Sequence, residues 1–235
     1  MTSMLRQPQS AEAAVRGDKW IKVCGITEPA ELDLLAARGI DLVGLWWGVP
    51  GGPHDMERDA WAALARAATA IGTLAPVLVT FAKDPEQLGA TLDAAPVKWI
   101  QLHGYPTPGT VRKVKALADD LGVIKVLHVK GGQCVEESLI GSYEKAGVDV
   151  FLFDVVSDDG RVGSTGQALD PDVVAPLVEK KIEPENAGCD PEKLTPKFST
   201  PTVRSLKLRM LPSVIGWPLA GLYVSEAWPS WTPSP

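Results

Sequence analysis

Three side chains able to move protons, Cys24, His103 and Asp154, each stand at the carboxyl end of a short apolar run. Cys24 closes the run that begins at Trp20 and is followed by Gly25-Ile26-Thr27. His103 follows Val97–Leu102, and Asp154 follows Val148–Phe153. In folds built from parallel strands and helices, that end of a strand is where chemistry is placed. A thiol becomes a base once it is a thiolate, and an imidazole or a carboxyl can give or take a proton. A fourth feature, Gly163-Ser164-Thr165-Gly166, follows the same run as Asp154 and has the composition of an anion cradle. Singly, each has a structural explanation: a core cysteine, a packing histidine, a turn-capping aspartate, a plain loop. Their arrival at successive strand ends points to one shared site.

Such a site needs elements that alternate, and the chain supplies them from Lys19 onward. Strands are predicted at Trp20–Cys24, Asp41–Trp47, Leu74–Phe81, Val97–Leu102, Val123–Val129 and Val148–Phe153. Helices are predicted at Glu28–Arg38, Glu57–Ala70, from Asp84-Pro85-Glu86 onward, at Thr107–Leu121, within Gln133–Lys145 and at Pro171–Lys180. Thr27 is the expected cap of the first helix, with Pro29 in its first turn. The strands are continuous apolar runs, which implies burial on both faces. Strand and helix alternate six times at even spacing, the pattern of parallel βα units. No dinucleotide fingerprint follows the first strand, so a barrel of the (β/α)8 TIM type is favoured over a doubly wound sheet.

The rest of the chain departs from this pattern. Residues 1–18 read as a flexible N-terminal extension without an apolar signal core. Residues 181–235 hold nine prolines and no clear helix, and read as a divergent, partly disordered region. The expected organisation is therefore 1–18 as extension, 19–180 as six barrel units, and 181–235 as an irregular end that leaves the barrel incomplete or distorted. With 235 residues, 45% hydrophobic and 22% charged, the chain has ample core. A net charge of −6 argues against nucleic acid as a partner. Three widely spaced cysteines suggest neither a disulfide framework nor a metal site, and fit a reducing, cytoplasmic setting. No run reaches the roughly 18 apolar residues of a membrane span.

Five segments now resemble one family in order and spacing: KVCGIT at 22–27, VLVTFAKDP at 77–85, WIQLHG at 99–104, FLFD at 151–154 and GSTGQALD at 163–170. The family is phosphoribosylanthranilate isomerase, of tryptophan biosynthesis. The resemblance implies a (β/α)8 barrel and an Amadori rearrangement of a small phosphorylated substrate, with neither metal nor organic cofactor. It implies that Cys24 is the general base and Asp154 the general acid. Gln101, His103, Gly163, Ser164, Thr165 and Gly166 are then expected at the substrate, in a cytoplasmic monomer or homodimer. The chemistry asks for such a pair. An acid opens the ribose ring to a Schiff base, and a base then takes the C2′ proton. A thiol near ~8.5 must be drawn toward thiolate and a carboxyl near ~3.9 kept protonated. Lys22 shares a strand face with Cys24 and can serve the thiolate, or can pair with a carboxylate inside the barrel.

The match breaks in two places. The family's loop-two arginine, which grips the anthranilate carboxylate, is replaced by Gly51-Gly52-Pro53-His54-Asp55, with His54 as a weaker candidate cation behind Trp46 and Trp47. The family's phosphate-binding strand ends have only Leu219-Ala220-Gly221-Leu222 as a partial counterpart. Eight tryptophans are also many for an enzyme of tryptophan supply, and suggest a specialised pathway. The alternative reading is a family member that binds a ligand or partner without turnover.

Overall fold

In the computed structural model, residues 20–158, 160, 162, 169–179 and 224–225 are described. The expectations placed on 1–18, on Gly163, Ser164, Thr165 and Gly166, and on nearly all of 181–235 lie outside the described residues.

The strands are β1 (Lys22–Cys24), β2 (Leu42–Trp46), β3 (Ala75–Thr80), β4 (Trp99–Leu102), β5 (Gly122–Lys130), β6 (Gln133–Cys134), β7 (Val150–Val155) and β8 (Val224–Ser225). The helices are α1 (Pro29–Ala37), α2 (Arg58–Ile71), α3 (Pro85–Leu92), α4 (Pro108–Lys115), α5 (Ile140–Lys145) and α6 (Pro171–Glu179). The path β1-β2-β3-β4-β5-β7 is parallel throughout. This is the TIM-barrel type of fold, and all six carboxyl ends lie at one end of the sheet. β8 lies parallel to β1, with Lys22 opposite Val224 and Val23 opposite Ser225. So the edge of β1, expected to be left open, has a short strand beside it.

Alternation along the strands builds two cores. Leu42, Trp46, Val77, Val79, Ile124, Val126, Val150 and Leu152 fill the inside of the sheet together with Cys24. Val43, Leu45, Leu78, Ile100, Val123, Leu127, Phe151 and Phe153 point outward into the layer beneath the helices. Trp61 of α2 anchors that layer: it is fully buried and its indole N–H donates to Leu45 O at 3.2 Å.

Two local expectations are corrected. The cap of α1 is Glu28, not Thr27. Glu31 Oε2 accepts the N–H groups of both Thr27 and Glu28, at 3.0 and 2.9 Å, so the threonine is not needed. Helix α4 stops at Lys115 rather than Leu121. Lys115 Nζ reaches forward to Leu121 O and across to Asp149 Oδ2, which pulls the following residues into a turn. The helix expected within Gln133–Lys145 is α5, and a hairpin precedes it. Gly131 and Gly132 adopt φ of 56° and 76°, the left-handed pair of a two-residue hairpin, and fold β6 back on β5. A 3-10 turn (Glu137–Leu139) and only then α5 follow. This hairpin returns Glu136 to the strand end at His128.

Candidate active site

The Cys24 end of the barrel mouth is built by β1 and β2. In Lys22-Val23-Cys24 the first and third side chains face the barrel interior, while Val23 packs outward. Lys22 is wholly buried and its Nζ donates to Cys24 Sγ. Of the two roles open to Lys22, the structure brings it to the thiol. A cysteine acts as a base only as the thiolate, and a lysine is the kind of neighbour such a cysteine needs. Gly44 lies directly across from Cys24 in the β1–β2 register. A Cβ there would clash with Sγ and come within 2.8 Å of Lys22 Nζ, so the lysine–thiol pair crowds the space that a side chain would use.

At the Asp154 end, His103 lies flat against Phe81, with ring centroids 4.4 Å apart and an interplanar angle of 12°. Its Nε2 is 3.3 Å from Asp154 Oδ2. The alignment is too poor for an N–H bond from that nitrogen, and Oδ2 has no hydrogen-bond partner. Asp154 Oδ1 accepts from Val155 N–H at 2.9 Å. Behind His103 stands a second imidazole: His128 Nε2 is 3.5 Å from His103 Nδ1. The Nδ1 of His128 is 2.7 Å from Glu136 Oε1. Glu136 also accepts His128 N–H at 2.9 Å and Lys125 Nζ at 3.1 Å. Lys125 Nζ in turn holds Gly104 O at 3.2 Å. Sequence reasoning missed His128 and Glu136. The signal was a histidine alternating with Ile124 and Val126 on the interior side of its strand.

Burial pushes His128 below its ordinary value, and the hydrogen bond and charge of Glu136 only partly offset this. Burial also raises Glu136, but the bond from His128 and the charge of Lys125 outweigh it, so this carboxyl sits below its usual range. Both folded values are therefore depressed. Each group contributes stability that is whole above its unfolded value and lost as pH falls through its folded one. For His128 the loss begins near the unfolded value of about 6.5. Urea unfolding should show stability level above pH ~7 and declining below pH ~6.5. His128→Phe should flatten the decline between pH ~7 and ~5, and an unchanged slope would count against the neutral, buried imidazole.

Among the described residues, three buried side-chain polar atoms lack a hydrogen-bond partner: Trp46 Nε1, Gln101 Oε1 and Asp154 Oδ2. All belong to the interior-facing sets of their strands near the carboxyl ends. Buried polar atoms are nearly always paired, so three unpaired ones near the same strand ends set this place apart from the rest of the interior. His54 is half-buried, edge-on to Trp46 at 5.3 Å, and stacked over Gly25, where a Cβ would meet its Cδ2 at 2.9 Å. The second loop thus delivers His54 to the turn that follows Cys24. Trp47 faces outward, with Arg58 over its ring.

A cavity of about 350 Å³ lies elsewhere, between the β5–β6 hairpin and α6, lined by Gly132, Gln133, Cys134, Val173 and Leu177 among others. It is not the site. It holds none of the proton-moving groups above, and burial pushes its thiol, Cys134, up to about 11. No cluster of His, Cys, Asp and Glu able to hold a metal occurs among the described residues. No described helix is long and apolar enough to cross a membrane.

No family model matches the chain. It is 31% identical over 152 residues to the N-(5'-phosphoribosyl)anthranilate isomerase of Rhodopseudomonas palustris strain TIE-1, covering 64% of this chain and 68% of that one. It is 35% identical over 147 residues to the enzyme of that name from Brevibacillus brevis, covering 63% of each. The chain thus spans about two thirds of the length of these relatives. Among solved structures, phosphoribosyl anthranilate isomerase of Thermus thermophilus superposes with a TM-score of 0.55 at 23% identity, covering 68% of this chain and 72% of that one. A monomeric form of the dimeric Thermotoga maritima isomerase gives 0.53 at 19% identity, covering 69% and 71%. At these identities the superpositions establish the fold.

Proposed function

The chain belongs to the phosphoribosylanthranilate isomerase family of tryptophan biosynthesis, and from that premise we propose that it performs the family's Amadori rearrangement with Cys24 as general base and Asp154 as general acid. The observation that carries the assignment is the Lys22–Cys24 contact facing the barrel interior, at the same end of the sheet as the unpartnered Oδ2 of Asp154. Asp154 delivers a proton to the ribose ring oxygen, and the ring opens to a Schiff base between C1′ and the aryl nitrogen. Cys24, held as thiolate by Lys22, takes the C2′ proton. The electron pair moves to give the enolamine, which tautomerises to the ketone. Proton and electron counts close without an external oxidant, since C1′ is reduced as C2′ is oxidised. Two positioned proton-transfer groups contribute typically 10²–10⁴-fold each in such reactions.

Gln101 and His103 line the sugar in this reading, and Trp46 and His54 face the aryl end. Gly163, Ser164, Thr165 and Gly166 are proposed, from their sequence, as the anion contact. The partner is a small phosphorylated molecule rather than nucleic acid or a membrane, and the protein acts in the cytoplasm as a monomer or homodimer. The test is a steady-state assay of the full chain with phosphoribosylanthranilate generated in situ. Turnover with weak KM is expected, because His54 replaces an arginine fork. Ligand binding without turnover would instead favour the non-catalytic reading. His54→Arg should then tighten KM for the carboxylated substrate at least about tenfold, since a charge-assisted bond contributes roughly 1.5–3 kcal/mol. No change in KM would remove His54 from the aryl end.

A further inference from the structure

We propose that Lys125 and Tyr143 are positioning residues for the reaction: from the layer beneath the helices they hold the backbone of loop 103–106, and so keep the His103 ring in its place at the barrel mouth. This deepens the reading of His103 as lining the sugar and rests on it. Lys125 lies between Ile124 and Val126, which face the interior, so its own side chain leaves the strand on the helix side. There it meets α5, with Nζ 5.2 Å from the centre of the Tyr143 ring. Both side chains are buried. Lys125 Nζ donates to Gly104 O at 3.2 Å, to Glu136 Oε1 at 3.1 Å and to Val126 O. The Tyr143 hydroxyl donates to Pro106 O at 2.8 Å.

A wholly buried lysine is costly in an apolar layer unless its charge and its protons are matched. Glu136 alone matches the charge. The other contacts of Nζ are main-chain carbonyls, and one of them lies in the turn that follows His103. That turn is tight: Gly104 has φ of 68°, and a Cβ on it would stand 3.4 Å from Phe81 Cδ1. The N–H of Gly104 donates to His103 Nδ1 at 3.0 Å, while its C=O is held by Lys125. The N–H of His103 itself donates to Thr80 O at 2.9 Å. The loop is thus fastened to β3 at residue 103, to Lys125 at 104 and to Tyr143 at 106. Gly104 N–H occupies Nδ1 and Phe81 covers one face of the ring, so Nε2 is the nitrogen left toward Asp154, 3.3 Å from Oδ2. Without the hold on its carbonyl, Gly104 is free to rotate, its N–H leaves Nδ1, and the ring loses the bond that fixes its orientation. A misplacement of about 1 Å with a remote cause costs as much as about 10²-fold in rate.

The chain has three histidines, so the place of the His103 ring is readable by proton NMR of the full chain. Stacked on Phe81, its ring protons should be shifted upfield in the wild type, and Phe81→Leu identifies the signal by removing that shift. In Lys125→Met, which keeps the length of the side chain and loses its donors, the signal should move toward its unfolded position. The kcat/KM of the isomerisation should fall about tenfold or more. Tyr143→Phe removes one hydroxyl, leaves Glu136 and its partners in place, and carries the test should Lys125→Met not fold. It should move the signal and kcat/KM in the same direction by a smaller amount. A His103 signal and a kcat/KM unchanged in every variant that folds would overturn the proposal, even with lowered thermal stability, since that is what a merely structural pair would give. So would a loss of activity with the His103 signal unmoved. Failure of the premise is separable: His103→Ala with full activity removes His103 from the sugar, while the NMR result on the two variants stands on its own.

Discussion

Replacing Cys24 by serine, or Asp154 by asparagine, should lower kcat by at least about 10²-fold while KM moves much less. Serine keeps the shape of cysteine, but its hydroxyl is far less acidic, and Lys22 cannot make it an anion near neutral pH. Asparagine keeps the shape of aspartate and has no acidic proton to deliver. Neither group is placed to supply most of the ground-state binding. Each variant should stop a different step, so the double variant should be little worse than the more damaged single one. Steady-state kinetics on all three, with circular dichroism to confirm folding, checks this. A loss of less than tenfold in either single variant would remove that residue from the chemistry.

Gly44→Ala should be nearly as damaging, although residue 44 itself carries no chemistry. Its methyl group would clash with Cys24 Sγ and stand 2.8 Å from Lys22 Nζ and 3.1 Å from Val79 Cγ2. The strand is buried on both faces, so the backbone has little room to yield. The thiol must rotate away and the ammonium must withdraw, which separates the pair that makes the base. Overpacking of this kind costs about 1–3 kcal/mol of stability. The loss of a positioned base should add about a 10²-fold fall in kcat. Gly141→Ala is the control. It lies in α5 with nothing within 4 Å of the added atom. It should stabilise by about 0.4–1 kcal/mol and leave kcat alone. Equal kcat in Gly44→Ala and wild type would show that Cys24 does not need its present place.

The strand ends were legible because parallel strands buried on both faces are written as unbroken apolar runs. Cys24, His103 and Asp154 stand where those runs end. Lys22 was legible for the same reason, through its alternation with Cys24, though only packing could say that its partner is the thiol. The β5–β6 hairpin was not legible as such. Gly131-Gly132 reads as a loop in any fold, and the segment after it has enough helical residues to mask a two-residue strand. Only that hairpin folds Glu136 onto His128. Gly44 was invisible as a functional residue, because a glycine in a strand does not tell from sequence what fills its space. The second loop shows the opposite case. The missing arginine was plain in the sequence, but that His54 rests over Gly25 beside Trp46 depends on a loop path that no periodicity records.

The assignment of base and acid is tested most directly by substrate carrying deuterium at the ribose C2′ position. Only the step given to Cys24 breaks that bond. In Cys24→Ser, proton abstraction should limit turnover, and kcat should show a full primary isotope effect. In Asp154→Asn, ring opening should limit turnover, and the effect should be suppressed below that of the wild type. The reverse pattern, or the same effect in both variants, would contradict the division of labour between Cys24 and Asp154.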